Sequence, residues 1–514
     1  MDNYSEEYRK EQEKRGPLRA DKIIFLICLL SSCAIGVFFQ KHLNSRKCSS
    51  KSRHYFSFSV GFLMLLLCYG IRCGHLLVLS SVVYVLLNVL SPKRAFRISF
   101  IFSMFYLTWA HLYRMKIDYG GYSADVSLPL MVLVQRLTLL SANLADGHEV
   151  AKEASSSSTS QSNGHSSVKP LSPRTATLTP ARRRYAVLKL PSPIQFFSYC
   201  INFQTVMAGP PLTYNDYLVY IEGREAERLK SDDEREIFKK NRENLLLPIK
   251  EIKKYALEAL VFLLIYLGIC QFFRPSFYLS DRFNDFTLLE KIAYLVLTGF
   301  TMRQHYYFAW TLCALSCLTS GFGFAGFKDD KTPDYSLVKS FNFKESEFPR
   351  NIKELADNWN LQTLRWLRIT IFDRSPPAYR VVFVFFVSAF WHGFYPGYYL
   401  FFTSMAWFSS IGRQIRRRWR PQILGFLPDT VWTWKPPGVM EGTSTIYDTV
   451  ARIVTYFMVN YTALAFVVLS FHDSILIWSR FHFAGHLVCL ATQLLLLLLP
   501  TSRRPTSNHH LKSQ

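Results

Sequence analysis

The sequence predicts an all-α polytopic membrane protein with about ten or eleven transmembrane or re-entrant helices. Of its 514 residues, 49% are hydrophobic and 16% are aromatic, and they gather in blocks of roughly membrane-spanning length. Lys and Arg lie mainly between these blocks and give a formal net charge of +23, as the positive-inside rule expects of cytoplasmic loops. The charge therefore indicates anionic head groups of the lipid bilayer or a phosphorylated cosubstrate, and we predict no nucleic-acid partner.

The first part of the chain is predicted to contain a tail and the first membrane helices. Residues 1–22 have mixed charge and no cleavable signal pattern, so the apolar run at 23–39 is predicted to be a retained span. Basic residues flank this run on both sides, which leaves open whether the tail is cytosolic or luminal. Residues 23–144 form the N-terminal transmembrane helices, several of them shorter than a full span and expected to be tilted or broken.

Residues 145–190 change to a Ser/Pro-rich composition that includes SSSSTSQSNGHSS. Such a segment cannot bury a core, and we predict a disordered loop. Ser172 and Thr179 each precede a proline and are candidates for phosphorylation. After the loop, residues 191–500 are predicted to form the core, and residues 501–514 a polar tail.

The ten cysteines are scattered and mostly lie in apolar runs, which is typical of small apolar residues and not of a disulfide framework. Cys313 and Cys317 are one helical turn apart, but no His or carboxylate joins them at metal-ligand spacing. We predict no metal site.

One histidine, His392, lies in an apolar run that reads VVFVFFVSAFWHGFYPGYY. An ionisable side chain in hydrocarbon costs free energy, so its presence in a membrane segment indicates a function. Asn360 lies upstream, in a Trp-rich segment that can fold back beside the histidine. Taken alone, the two residues also fit a hydrogen-bonded packing histidine and a helix-capping asparagine.

The segments WNLQTLRWLR and SAFWHGFYPGYY resemble the membrane-bound O-acyltransferase (MBOAT) family, whose signature is an Asn and, downstream, a His in a WHG context. The segments NFQTVMAGPPLTYNDYLVYIEG, RQHYYFAWTL and SGFGFAG resemble the family's lysophospholipid acyltransferase branch. This resemblance extends over residues 126–500 and implies an MBOAT-like bundle around a buried chamber. Phe372 and Val384 depart from the branch, where a tyrosine and a hydroxyl residue are expected.

The resemblance implies transfer of an acyl group from acyl-CoA to a lysophospholipid in the endoplasmic reticulum membrane, with acyl-CoA as cosubstrate and no further cofactor. A neutral His392 would take the proton of the acceptor hydroxyl as general base. The Asn360 amide would donate to the developing oxyanion or orient the hydroxyl, a contribution of about 3 kcal/mol. No Ser or Cys is evidently paired with His392 as a covalent nucleophile. We therefore predict that the acyl group passes directly from acyl-CoA to the acceptor.

Seven further residues are candidates for substrate binding. Arg365 and Arg368 share the segment of Asn360 and are expected to meet the phosphates of CoA, and Trp359 and Trp366 to line the thioester path. A structural role is the alternative for these four. The branch motifs add Tyr307, Trp310 and Asn202.

Three other functions stay open at this point. The chain can be an MBOAT enzyme that acylates a protein, a sterol or diacylglycerol, although the AGP and IEG motifs favour lysophospholipids. A transporter would use His392 in a proton relay, but the sequence has no obvious internal repeat. A non-catalytic lipid-binding scaffold is the third. Head-group, acyl-chain and positional preference depend on tunnel shape and, like the oligomeric state, are not predicted.

Overall fold

The computed structural model describes residues 20–121, 125–162, 178–420 and 445–498, with the side chains of all of these except residues 157–162, 445 and 446. The described residues are mostly helical, and their one sheet is a short antiparallel pair, β1 (Gly326–Phe327) and β2 (Pro333–Asp334). The predicted all-α fold of a polytopic membrane protein is confirmed. Ser172, residues 1–19 of the N-terminal tail and the whole C-terminal tail lie outside the described residues.

The helices of the described residues follow in chain order. They are α1 (Ala20–His42), α2 (Ser50–Tyr69), α3 (Gly74–Val89), α4 (Pro92–Ile117), α5 (Ser127–Ser162), α6 (Pro180–Tyr185), α7 (Pro193–Cys200), α8 (Tyr214–Glu222), α9 (Asp232–Leu246), α10 (Ile249–Ile269), α11 (Leu288–Thr319), α12 (Phe343–Glu347), α13 (Ile352–Asn358), α14 (Leu361–Thr370), α15 (Arg380–His392), α16 (Pro396–Arg418), α17 (Thr445–Val468), α18 (Phe471–Arg480) and α19 (Ala484–Leu498).

The chain divides into two compact units. The first holds the described residues up to Phe273 together with Phe300–Asn342 and Trp359–Tyr395. Its helices approach closely at glycines: a Cβ on Gly36 of α1 would lie 2.5 Å from Thr319 Oγ1 of α11, and one on Gly61 of α2 would lie 2.5 Å from the Ile201 carbonyl oxygen. Small residues at such crossings are typical of helix packing in membranes.

The second unit comprises Arg274–Gly299, Phe343–Asn358 and the described residues from Pro396 onwards. In this unit His486 of α19 connects two other helices: it hydrogen-bonds through Nδ1 with Tyr461 of α17 at 2.8 Å and through Nε2 with Ser404 of α16 at 3.1 Å. Both candidate catalytic residues lie in the first unit.

Four helical stretches in the described residues are long and apolar enough to cross a membrane, and the count rises to five if the bent pair α18 and α19 forms one span. This count is lower than the ten or eleven spans and re-entrant helices predicted. The difference arises because several predicted spans fold as short helices, such as α15 with 13 residues, or as longer helices that carry basic residues, such as α4.

Two parts of the segment predicted to be a disordered loop, residues 145–162 and 178–190, are ordered, and residues 163–177 lie outside the described residues. Helix α5 continues to Ser162, and residues 178–190 fold back onto it through the bond from Val187 N–H to the Asn143 carbonyl oxygen, 2.9 Å long. A Cβ on Gly147 would collide with Val187, so the glycine permits this contact. The composition does not reveal this order, because it depends on contacts with residues elsewhere in the chain: Val187 is buried in the hydrophobic core, and Arg182 binds Asp146.

Candidate active site

Asn360 is the N-cap residue of the short helix α14, which begins at Leu361. Its backbone is left-handed, with φ 47° and ψ 58°, a conformation that asparagine adopts more readily than most residues. The side-chain Oδ1 accepts the Thr363 N–H at 3.4 Å and so caps the helix. Within the described part of the chain, this is the only hydrogen bond that the Asn360 side chain makes. Its Nδ2 group can therefore donate to a ligand. The side chain is partly exposed.

His392 is the last residue of α15 and is also partly exposed. The next residue, Gly393, has φ +126°, a backbone conformation that favours glycine, and it lies in contact with the His111 ring. The neighbouring Trp391 is held on two sides: its carbonyl oxygen accepts from His111 Nε2 at 3.1 Å, and its Nε1–H donates to the Met131 carbonyl oxygen at 3.0 Å. The turn that presents the imidazole is therefore fixed by its neighbours.

One face of α5 anchors both helices. The Met131 carbonyl holds Trp391, the Gln135 amide donates to Thr363 Oγ1 at 2.9 Å, and Thr138 Oγ1 accepts from Trp366 Nε1 at 2.8 Å. These α5 residues are spaced by four and three positions, so they lie on one side of the helix within about 10 Å along its axis. The Trp366 and Trp391 rings also meet, with centroids 5.8 Å apart. Asn360 and His392 are thus carried by helices that share one scaffold.

The same face ends in a buried carboxylate. Asp146 accepts from Arg182 at 2.5 Å and from Arg374 at 2.7 Å, and its side chain is 0% exposed. Arg374 also donates to the Ala142 carbonyl oxygen at 3.1 Å. Burial lowers the pKa of the Arg374 guanidinium, and the Asp146 carboxylate opposes that shift. Because Arg374 lies between α14 and α15, the cluster fixes the turn that joins the two helices next to the candidate residues Asn360 and His392.

Three of the predicted substrate residues come together in an aromatic cluster beside Asn360. The Trp359 ring lies 5.5 Å from Tyr307 and 5.0 Å from Trp310, measured between centroids. Tyr306 and Phe341 complete the cluster, with centroids 6.0 Å from Trp359 and 4.5 Å from Tyr307, respectively. Trp359 and Trp310 are partly exposed, whereas Tyr307 is buried. The cluster provides an aromatic surface next to Asn360, because Trp359 directly precedes that residue.

The other four predicted substrate residues lie elsewhere. Trp366 is 0% exposed and packs in the core. Arg365 donates to Gln362 at 2.7 Å and lies over the Tyr185 ring, whereas Arg368 has a side chain that is 64% exposed. Asn202 is fully buried: its Nδ2 donates to the Tyr199 carbonyl oxygen, and its Oδ1 accepts from Thr205. The geometry therefore favours structural roles for Trp366 and Asn202.

The sequence profile of the family described as MBOAT, membrane-bound O-acyltransferase family, matches residues 26–437. The chain belongs to the membrane-bound O-acyltransferase family. The chain is 30% identical to membrane-bound glycerophospholipid O-acyltransferase 2 of Mus musculus over 499 residues, 96% of this chain and 88% of that protein. The human protein of the same name is 28% identical over 497 residues, with the same two shares.

A third relative is longer than this MBOAT chain. Lysophospholipid acyltransferase 6 of Drosophila melanogaster is 29% identical over 479 residues, 92% of this chain but 61% of that protein. The chain therefore spans less than two thirds of the length of this relative.

The two departures from the expected MBOAT branch pattern, Phe372 and Val384, lie in different surroundings. Phe372 is partly exposed and lies under the Arg380 guanidinium, 5.3 Å from its ring centroid. Val384 packs against the hydrophobic core. Neither side chain can supply the hydrogen bond that a tyrosine or hydroxyl residue would offer.

Four residues that position the candidate site of this MBOAT chain were not predicted from the sequence: His111, Gln135, Thr138 and Asp146. A signal for the last three was present, because they are polar residues at helical spacing in or next to one apolar block. His111 had no comparable signal. It lies in an aromatic stretch distant in sequence from the WHG motif, and it meets Trp391 through the packing of α4 on α15.

Proposed function

We propose that this chain transfers a fatty acyl group from acyl-CoA to the free hydroxyl of a lysophospholipid, with His392 as general base and Asn360 as hydrogen-bond donor. The observation that carries the proposal is the common scaffold: the helices that begin after Asn360 and end at His392 are both hydrogen-bonded to one face of α5. The names of the relatives supply the acceptor class. The proposed setting is the endoplasmic reticulum membrane, where the lysophospholipid enters laterally.

In the proposed step, the neutral imidazole of His392 takes the proton of the lysophospholipid hydroxyl as its oxygen attacks the thioester carbonyl. The tetrahedral intermediate collapses, the CoA thiolate leaves, and the proton on His392 neutralises it. Asn360 Nδ2 donates to the oxygen that gains charge. Its Oδ1 is already held by the Thr363 N–H, so the amide is oriented before substrate binds. Preorganised donors of this kind lower the barrier because they need no rearrangement during the reaction.

The acyl-CoA donor has two chemically different ends. Its phosphates must remain in water, and the exposed Arg368 with the partly exposed Arg365 offers them two guanidinium groups close in sequence to Asn360. The acyl chain needs an apolar path. The cluster of Trp359, Tyr307 and Trp310 supplies one next to the catalytic asparagine. This arrangement supports acyl-CoA as the donor.

The test is transfer from labelled oleoyl-CoA to a panel of lysophospholipids, with diacylglycerol and a sterol included, by detergent-purified protein. His392→Ala is expected to abolish transfer. Asn360→Asp retains an oxygen for the Thr363 N–H but lacks the N–H donor, so it should keep the fold and lose about a hundredfold in kcat. The matched control is His472→Ala, because that histidine has a side chain that is 79% exposed.

Each outcome decides a different part of the proposal. A His392→Ala protein as active as wild type would remove the assigned base. Transfer to diacylglycerol or a sterol without transfer to any lysophospholipid would replace the acceptor while leaving the catalytic pair. Absence of transfer by folded wild-type protein would contradict the acyltransferase proposal and favour a transporter or a non-catalytic lipid-binding scaffold.

A further inference from the structure

The C-terminal end of the Ser/Pro-rich segment is fastened beside the catalytic helices. Thr179 Oγ1 donates to Asp373 Oδ2 at 2.7 Å and accepts the Arg182 N–H at 3.4 Å, which makes it the cap of α6. Asp373 has a side chain that is 6% exposed, whereas Thr179 is partly exposed and Pro180 is exposed. The hydroxyl of a partly exposed threonine thus holds a nearly buried carboxylate.

This carboxylate lies at a sensitive position. Residues Phe372–Arg374 form the single turn between α14, which follows Asn360, and α15, which ends at His392. Arg374, next to Asp373, is bound to the buried Asp146. Any change at Thr179 therefore acts on the turn that connects the two catalytic helices.

The sequence around Thr179 fits a kinase substrate. Pro180 follows the hydroxyl residue directly, and Arg182 lies three positions after it, a pattern that proline-directed kinases accept. Between residues 145 and 190 there are seven Lys or Arg against three acidic residues, and such a bias predicts a cytosolic segment. The α6 helix is six residues long and is joined to α5 by polar contacts, so local opening is expected to expose it to an enzyme.

We propose that Thr179 is a phosphorylation site and that its phosphorylation lowers acyl transfer by releasing the turn between α14 and α15. The kinase transfers the γ-phosphoryl group of ATP: the bond from γ-phosphorus to the β,γ-bridging oxygen breaks, a bond to Thr179 Oγ1 forms, the hydroxyl proton is released and ADP leaves. The effect on activity rests on the acyltransferase function proposed above, whereas the modification itself does not.

The direction of the effect follows from charge. The hydroxyl that donates to Asp373 becomes a dianion without a proton to donate, and two like charges face each other at hydrogen-bond distance. Of the nearby cations, Arg182 and Arg374 already neutralise Asp146, and Arg368 Nε lies 4.0 Å from Asp373 Oδ1. If the phosphate recruits Arg182 or Arg374, the buried Asp146 loses a partner, which is costly. If it recruits Arg368, Asp373 loses its contact with that cation. The repulsion and each of these losses loosen α6 or the turn.

The first experiment tests the modification. Microsomes with the full chain are incubated with labelled ATP and a recombinant proline-directed Ser/Thr kinase, and phosphopeptides are identified by mass spectrometry. We expect label at Thr179 in wild type and no label at this position in Thr179→Val. Absence of label at Thr179 in folded wild-type protein would overturn the proposal.

The second experiment tests the mechanism in the same membranes. Thr179→Glu should lower kcat for acyl transfer by about fivefold or more, and adding Asp373→Asn should restore it to within about twofold of Asp373→Asn alone, because the repulsion is removed. Ser192→Glu is the matched control: Ser192 also precedes a proline and caps a helix, but its hydroxyl donates to the Gln195 amide oxygen instead of a carboxylate. An equal loss in Ser192→Glu, or no rescue by Asp373→Asn, would refute the repulsion.

Tryptic cleavage gives a readout independent of catalysis. Release of α6 should expose the bonds after Arg183 and Arg184, so the phosphorylated protein should be cut there about fivefold faster than the unmodified one. If the wild-type protein shows no acyl transfer, the proposed function fails. The cleavage rate still tests whether phosphorylation of Thr179 releases α6. An unchanged cleavage rate after phosphorylation would contradict the release of α6.

Discussion

Helices α1 and α5 are both apolar and long enough to span a membrane, but they differ in what they contact. Only 28% of the apolar stretch of α1 is buried in the protein, whereas 83% of that of α5 is buried. Helix α1 is the more apolar of the two and exposes Ile27 and Leu30 to its surroundings. Helix α5 buries Gln135, Thr138 and Asp146, which hold α14 and the turn that leads to α15.

The two helices show how a membrane protein distributes polar and apolar side chains. Lipid is as apolar as a leucine side chain, so hydrophobicity marks the surface of the protein and does not drive its helices together. Specific hydrogen bonds and ion pairs in the interior position the helices instead. The less apolar of two spans is therefore the better place to search for residues that support function.

The largest effect that would test this comparison is expected at Asp146. Asp146→Asn keeps the size of the side chain but leaves Arg182 and Arg374 without a carboxylate, which should lower the free energy of unfolding by about 3–5 kcal/mol. The matched control is Glu153→Gln, two turns further on the same helix, where an exposed pair with Arg183 should contribute less than about 1 kcal/mol. Thermal unfolding in detergent measures both. Equal stability of Asp146→Asn and wild type would contradict the role assigned to the buried ion pairs of α5.

A smaller effect is expected at Thr138. Thr138→Val has nearly the same shape but removes the acceptor of the buried Trp366 N–H, and an unsatisfied donor should cost about 1–3 kcal/mol. Thr108→Val on α4 is the control, because its hydroxyl bonds to the Met104 carbonyl within its own helix. Apparent melting temperatures of both variants would be compared with wild type. A loss in Thr108→Val as large as that in Thr138→Val would show that the anchor to α14 is not special.

The smallest effect is expected on the outer helix. Ile27 of α1 is 55% exposed, and Ile27→Ala should change the free energy of unfolding by less than about 0.5 kcal/mol. Leu133 of α5 is 1% exposed, and Leu133→Ala should cost about 2–5 kcal/mol because it leaves a cavity. Chemical unfolding in mixed micelles would measure the free energy of unfolding of both variants. If Ile27→Ala proved the more damaging variant, the outer position assigned to α1 would be incorrect.

Much of the architecture was predictable from sequence because apolar run length and charge placement are local properties. The helical fold and the WHG segment belong to this class. The order of residues 178–190 was not predictable, since it depends on contacts from Arg182 and Val187 to α5, far away in sequence. For the same reason, Trp366 was expected in the substrate path, whereas it is buried against Thr138.

By itself, the sequence determined the membrane class, the family and the identity of Asn360 and His392 as candidates, because these follow from composition and from motifs that are continuous in the chain. Tertiary structure alone decided which residues support them. His111, Gln135, Thr138 and Asp146 reach the helices that carry these candidates through hydrogen bonds and ion pairs between segments that are distant in sequence. Such bonds depend on distances of about 3 Å, and only the packed helices set these distances.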